Sequence, residues 1–97
     1  MTLQALYQQA LGSHKRGELA AAEELYRQIL DAAPKSFAAR HMLGVLKAQQ
    51  GDKTQALEIL AEALAQNPDA ADAQFNYANV LKTVRSEEHT SELQSPA

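Results

Sequence analysis

Apolar residues recur along this chain at intervals of three and four positions, the spacing that places side chains on one face of an α-helix. One such face comprises Leu19, Ala22, Leu25, Tyr26, Ile29 and Leu30, and a second comprises Leu57, Leu60, Ala63 and Leu64. No stretch alternates apolar with polar residues, as a half-buried strand would. The pattern predicts an all-α fold with helices over about 2–15, 18–32, 36–49, 53–66 and 70–84.

The predicted helices repeat along the sequence with a period of 34 residues. A shift by that length superposes Gly17 on Gly51, and likewise the pairs Ala22 and Ala56, Leu30 and Leu64, and Pro34 and Pro68. A third copy begins in the same register, because Ala5, Ala39 and Ala73 align. Self-similarity at a fixed period of this length is the signature of a helical repeat protein.

Each landmark of the repeat has a physical role. Glycine tolerates the left-handed backbone that ends a helix, so Gly17 and Gly51 are expected at the bend inside each hairpin. The small alanines 22 and 56 allow two helices to cross closely. Proline after the second helix stops it and starts the next unit. Asp52 is a candidate N-cap, with Gln55 three residues later as in a capping box.

The segment AARHMLGVLKAQQGDKTQALEILAEALAQNP combines these landmarks, through Leu43, Gly44, Gly51, Ala56, Leu60, Ala63 and Pro68. It resembles the tetratricopeptide repeat, and the resemblance extends over about residues 3–84. That family implies a right-handed α-solenoid of antiparallel helix hairpins. The units would be about 3–36, 37–70 and 71–84, the last contributing its first helix alone.

The third unit departs from the pattern at residue 85, where the register requires glycine and the chain has arginine. The polar sequence RSEEHTSELQSPA follows over 85–97, with Leu93 as its one clearly apolar residue. Arg85–Ser95 resembles the in-frame translation of a sequencing-library adapter. We therefore expect a truncated repeat domain over 1–84 followed by a non-native polar tail; the alternative is a native disordered tail.

Composition and charge narrow the classes of function. The 97 residues include no cysteine, which excludes disulfides and thiol chemistry. Nine Lys and Arg against 12 Asp and Glu give a net charge of −3, which argues against nucleic acid as a partner. Neither a signal peptide nor a membrane-spanning segment is recognisable. These features predict a cytoplasmic protein that does not bind membranes.

No catalytic or metal-binding motif stands out in the sequence. His14 and His41 lack the carboxylate and histidine neighbours of a metal site, and the four glycines are isolated rather than grouped in a phosphate loop. The pair Glu23–Glu24 lies near Arg27, at the spacing of a helical ion pair rather than of an acid–base dyad. We therefore expect no enzyme activity, cofactor or metal in this chain.

In the tetratricopeptide family, the first helices of the hairpins line a concave groove that holds an extended peptide or a partner helix. The residues that the resemblance assigns to this groove are Tyr7, Leu11, His14, His41, Val45, Ala48, Phe75, Asn76, Asn79 and Lys82. The alternative is that several of them merely pack against a neighbouring helix. Asn76 and Asn79 resemble the groove asparagines of O-linked N-acetylglucosamine transferases, although ordinary surface asparagines would look the same.

Three functions fit these features. The first is a protein-interaction module that binds a peptide or partner helix in the groove. The second is the N-terminal arm of a larger enzyme, such as a bacterial glycosyltransferase or sulfotransferase. The third is self-association through the uncapped C-terminal end, since a lone hairpin helix leaves an apolar face without cover.

Overall fold

A computed structural model describes the backbone of residues 2–94 and the side chains of residues 2–86. It contains five helices: α1 (Leu3–Lys15), α2 (Leu19–Ala32), α3 (Phe37–Gln49), α4 (Lys53–Gln66) and α5 (Ala71–Gln94). Residues 2–94 include no β-strand. The predicted all-α fold is confirmed, and the first four helices have the predicted ends to within one residue.

The predicted end of the fifth helix is wrong, because α5 continues from residue 84 to Gln94 without a turn. The sequence explains the difference. Residues 85–94 contain neither glycine nor proline, and Pro96 is the first residue that would block a helix. The segment thus lengthens α5 instead of folding back as the second helix of a third hairpin.

The bends inside the two hairpins have the same backbone geometry. Gly17 and Gly51 adopt φ angles of 81° and 90°, the left-handed conformation predicted for them. The amide of Glu18 donates to the Ser13 carbonyl at 2.9 Å, and 34 residues later Asp52 donates to Lys47 at the same distance. Both bends are therefore Schellman-type helix ends, which reverse the chain and leave the two helices antiparallel.

The ends of the second helices also repeat, and polar side chains cap the starts of α3 and α4. Helix α2 ends at Ala32 and α4 at Gln66, each two residues before proline. The side chains of Ser36 and Asp52 accept hydrogen bonds from backbone amides in the first turns of α3 and α4, as N-caps do. The predicted cap at Asp52 is thereby confirmed, and these local interactions set where α3 and α4 begin.

Small residues bring the two helices of the second hairpin into close contact. A Cβ atom added to Gly44 on α3 would lie 2.7 Å from Cγ of Leu60 on α4, well inside van der Waals contact. Leu60 and the alanines 56 and 63 are completely buried. Near the other end of the hairpin, Arg40 at the start of α3 donates to Gln66 at the end of α4, at 3.1 Å. These contacts show that α3 and α4 run antiparallel.

The two hairpins meet through a partly polar junction. Glu23 on α2 accepts from Nζ of Lys47 on α3 at 3.0 Å and from the Gln50 amide at 3.1 Å. It also pairs with Arg27 on its own helix, the ion pair predicted from the sequence. These three donors lower the pKa of Glu23, Lys47 most of all, while burial acts in the opposite direction. Glu23 therefore stays ionised and fixes α2 against α3.

The junction between α4 and α5 is apolar instead. Leu57, which occupies the place of Glu23 one period later, packs on a cluster formed by Ala56, Leu60 and Val80. Ala78 on α5 occupies the place of Gly44 on α3 one period later. Gly44 is buried against α4, whereas Ala78 is exposed. Helix α5 thus extends the stack by one helix and presents an open face.

Candidate functional site

The first helices of successive units lie side by side and run in the same direction. Side chains near the carboxyl ends of α1 and α3 meet, where His14 contacts Gln49. Side chains near the amino ends of α3 and α5 also meet, where Asn76 contacts His41 at 2.8 Å. Each pair is 35 residues apart, one period plus one position. The three helices thus form a continuous surface, with α3 in the middle.

His14 links three helices at one side of this surface. Its Nε2–H donates to Oε1 of Gln49 on α3, which leaves Nδ1 to accept a hydrogen bond from the Tyr26 hydroxyl on α2 at 3.1 Å. The two rings meet edge to face, with their centroids 5.9 Å apart. Burial raises the pKa of Tyr26 to about 12, so its hydroxyl remains a neutral donor. His14 therefore has a structural role here.

His41 makes a similar link between α3 and α5, near the amino ends of these helices. The Asn76 amide donates to Nε2 of His41, which requires the neutral imidazole with its proton on Nδ1. Burial lowers the pKa of His41, and the nearby Asp72 carboxylate acts in the opposite direction. The ring also packs against Phe37, at a centroid distance of 5.7 Å. Neutral His41 thus joins two first helices.

Three exposed residues form a stripe along α5. Phe75, Asn79 and Lys82 follow each other at intervals of four and three, which places them on one helix face. Phe75 is 66% exposed, an unusual state for a large apolar side chain. Among the described side chains, Lys82 forms no ion pair. The stripe combines an apolar ring, an amide and a positive charge.

The other predicted groove residues are half-buried and pack within the stack. Tyr7 on α1 lies against Tyr26, with ring centroids 6.3 Å apart, and burial raises the pKa of Tyr7. Leu11, Val45 and Ala48 are also half-buried. Tyr7 thus packs against the neighbouring helix α2, as the alternative interpretation of the sequence predicted. That these residues together contact a ligand stays a prediction.

The two asparagines that the sequence grouped together have different surroundings. Asn76 is half-buried and uses its amide donor on His41, whereas Asn79 is exposed. Gln49, the partner of His14, was not among the predicted groove residues. The 34-residue period does not by itself reveal this contact, because the pairs that meet across neighbouring first helices are 35 residues apart.

The described side chains, residues 2–86, contain no group of three or more histidines, cysteines or acidic residues that could hold a metal ion. Within residues 2–94, no helix is both long and apolar enough to cross a membrane. What the structure offers is a surface made of neighbouring helices, with mixed polar and apolar side chains.

Antiparallel hairpins that recur every 34 residues, with glycine at the inner bend and proline after the second helix, define an α-helical repeat protein. A family model described as tetratricopeptide repeat matches residues 13–74, more than half of the chain. The chain belongs to this family, which is generally a non-catalytic repeat that mediates protein interactions. None of the curated proteins compared with it matches significantly.

Proposed function

We propose that the surface formed by α1, α3 and α5 binds an extended peptide or a helix of a partner protein. The observation that carries this proposal is the stripe of Phe75, Asn79 and Lys82 on α5. Phe75 offers a large apolar ring, and its burial against a partner would be favourable. The amide of Asn79 offers both a donor and an acceptor to the main chain of a ligand.

The bonded histidines support the same proposal. Because His14 and His41 tie neighbouring first helices together, the surface is already formed before a ligand arrives. A preformed surface avoids the entropy cost of ordering its side chains upon binding. A partner would therefore bind a preformed surface along α1 and α3 and contact the exposed side chains along α5.

Selection from a displayed library of random peptides tests this proposal. We expect selected peptides to lose about tenfold in affinity, or about 1.4 kcal/mol, with Phe75→Ala or Asn79→Ala. Glu58→Ala, at an exposed position on α4, is the matched control and leaves the affinity unchanged. Calorimetry measures each constant. Selected peptides that bind all three variants equally well would refute the proposal, as would failure to select any peptide.

We also propose self-association through the open face of α5 around Ala78. A second copy carries the same face, so a symmetric contact between two α5 helices covers both faces at once. In sedimentation equilibrium, we expect the mean mass to rise with concentration and Ala78→Glu to suppress this rise, while Glu58→Gln does not. A constant monomer mass at every concentration would contradict the proposal.

We place the protein in the cytoplasm. The absence of cysteine fits a reducing compartment, although it does not require one. Fractionation of cells that express the chain tests this placement, and recovery of the protein outside the cytoplasmic fraction would overturn it.

A further inference from the structure

A cavity of about 220 Å³ lies where α3, α4 and α5 meet. The residues that line it are Ala48, Lys53, Asn79, Val80 and Thr83. Its volume is several times the space of about 30 Å³ that one water molecule occupies in the liquid. Ala48 and Val80 provide apolar walls, whereas the exposed residues Asn79 and Thr83 provide polar groups. The cavity therefore has room and hydrogen-bonding groups for something larger than a single water.

The first junction shows what fills the same place one period earlier. There, the position of Ala48 is taken by His14, whose imidazole ring bonds to Gln49 and Tyr26. The position of Thr83, at the other side of the cavity, is taken by Gln49. One ring with a polar edge thus occupies the space between the first helices of units one and two.

Three smaller side chains leave this space open at the second junction. His14 is replaced by Ala48, which removes the whole ring, Gln49 is replaced by Thr83, and the completely buried Leu46 is replaced by Val80. The polar edge remains. The Thr83 hydroxyl donates to the Asn79 carbonyl at 2.9 Å, so its lone pairs stay able to accept a further hydrogen bond.

We propose that this cavity is a subsite of the groove that takes the imidazole ring of a histidine from a bound peptide. The ring would lie between Ala48 and Val80, and its N–H would donate to the hydroxyl oxygen of Thr83 or to the side-chain oxygen of Asn79. The bound ring would thus restore, from outside, the contact that His14 makes within the chain. This inference rests on the proposed function, because it assigns one side chain of the groove's ligand.

A small-molecule experiment tests the cavity apart from any peptide. Imidazole is titrated at about pH 8, where it is mostly neutral, while NMR follows the methyl groups of Ala48 and Val80. We expect saturable shifts at these methyls, and weaker shifts with Thr83→Val. Acetate and benzene, titrated in parallel, represent a carboxylate and a purely apolar ligand. No saturation with imidazole, or tighter binding of acetate or benzene, would overturn the proposal.

Two matched variants test the location of the cavity, one by filling it at the second junction and the other by opening the equivalent space at the first. Ala48→His places a ring where His14 has one, so we expect it to abolish the imidazole shifts at Val80 and to raise the unfolding midpoint. His14→Ala opens the equivalent space, and we expect added imidazole to raise the unfolding midpoint of this variant. Imidazole shifts that persist in folded Ala48→His would contradict the proposed location.

Peptides selected on the intact chain then separate this inference from the proposed function. We expect them to contain histidine and to lose affinity when that histidine becomes alanine or when Ala48 becomes histidine. Peptides that bind the groove but respond to neither change would overturn the subsite and leave the proposed function standing. Imidazole binding without any peptide binding would instead refute the proposed function, and the assignment of the subsite with it.

Discussion

The close contact between Gly44 and Leu60 allows the packing of the second hairpin to be tested with a single methyl group. Replacing glycine by alanine inside a helix normally stabilises it by about 1 kcal/mol. At residue 44, however, the new Cβ would lie 2.7 Å from Cγ and 2.8 Å from Cδ2 of Leu60. Overpacking of a core costs about 1–3 kcal/mol. We therefore expect Gly44→Ala to lie between neutral and about 2 kcal/mol destabilising.

Gly12 on α1 provides the matched control. It also lies inside a first helix, but the nearest atom to an added Cβ is Nη1 of Arg16, 3.4 Å away at the end of a flexible side chain. Gly12→Ala should therefore keep the full gain of about 1 kcal/mol. Because helix propensity enters both variants equally, the difference between them isolates the overpacking cost of about 1–3 kcal/mol.

Urea unfolding followed by far-ultraviolet circular dichroism measures both free energies, provided that the slope of each transition is unchanged. If Gly44→Ala stabilises the chain as much as Gly12→Ala does, the helices are not in close contact and the reasoning fails. A double-mutant cycle with Leu60→Ala adds a second check. This truncation should cost less in the Gly44→Ala background than in the original chain, because the smaller side chain at residue 60 makes room for the added methyl.

Three further outcomes follow from the polar contacts and the bends. Glu23→Gln should cost about 1–2 kcal/mol at neutral pH, by leaving Lys47 without its carboxylate. Because the folded pKa of Glu23 lies below 4.5, the contribution is present above pH 4.5, and urea titrations should show it lost as the pH falls through the folded pKa. Burial lowers the pKa of His41 in the folded chain, so its contribution to stability is present above pH 6.5 and is lost as the pH falls toward the folded pKa. The variant His41→Gln keeps an acceptor for Asn76 but does not titrate. The difference in unfolding free energy between the original chain and this variant should therefore shrink as the pH falls. Gly51→Ala should cost about 1–2 kcal/mol by thermal unfolding, because φ is 90° there, and an unchanged midpoint would contradict the left-handed bend.

The features that the sequence predicted are those that local chemistry determines. A left-handed backbone at Gly17 and Gly51, the cap at Asp52 and the end of each second helix before proline all depend on residues within one turn of the chain. Repetition at a fixed period then implied that the hairpins pack alike. The arrangement of the helices followed from these local features, with no knowledge of long-range contacts.

The contacts between units were harder to predict, because they depend on pairs of residues far apart in the sequence. Lys47 has the appearance of a surface lysine in the sequence, yet it is nearly buried and bonded to Glu23. His14 and His41 were assigned to a ligand groove, but each also bonds to a neighbouring helix. The end of α5 was misjudged for a different reason. The repeat register predicts a helix-ending glycine at residue 85, but the chain has arginine there. Because no residue at this place stops the helix, α5 continues.

The two junctions between units differ in a way that the repeat pattern conceals. At the first, Glu23 and His14 connect the helices through hydrogen bonds that require specific partners at fixed positions. At the second, Leu57 and Ala48 occupy the same places, so apolar contacts replace these two and a cavity is left beside Ala48. The hydrogen bond from Asn76 to His41 joins α3 and α5 away from this cavity. Apolar contacts tolerate small shifts, whereas an ion pair with little access to water does not. The first junction therefore fixes the relative position of two units, and the second has an unfilled space beside exposed groups on α5, where the proposed ligand would gain new contacts.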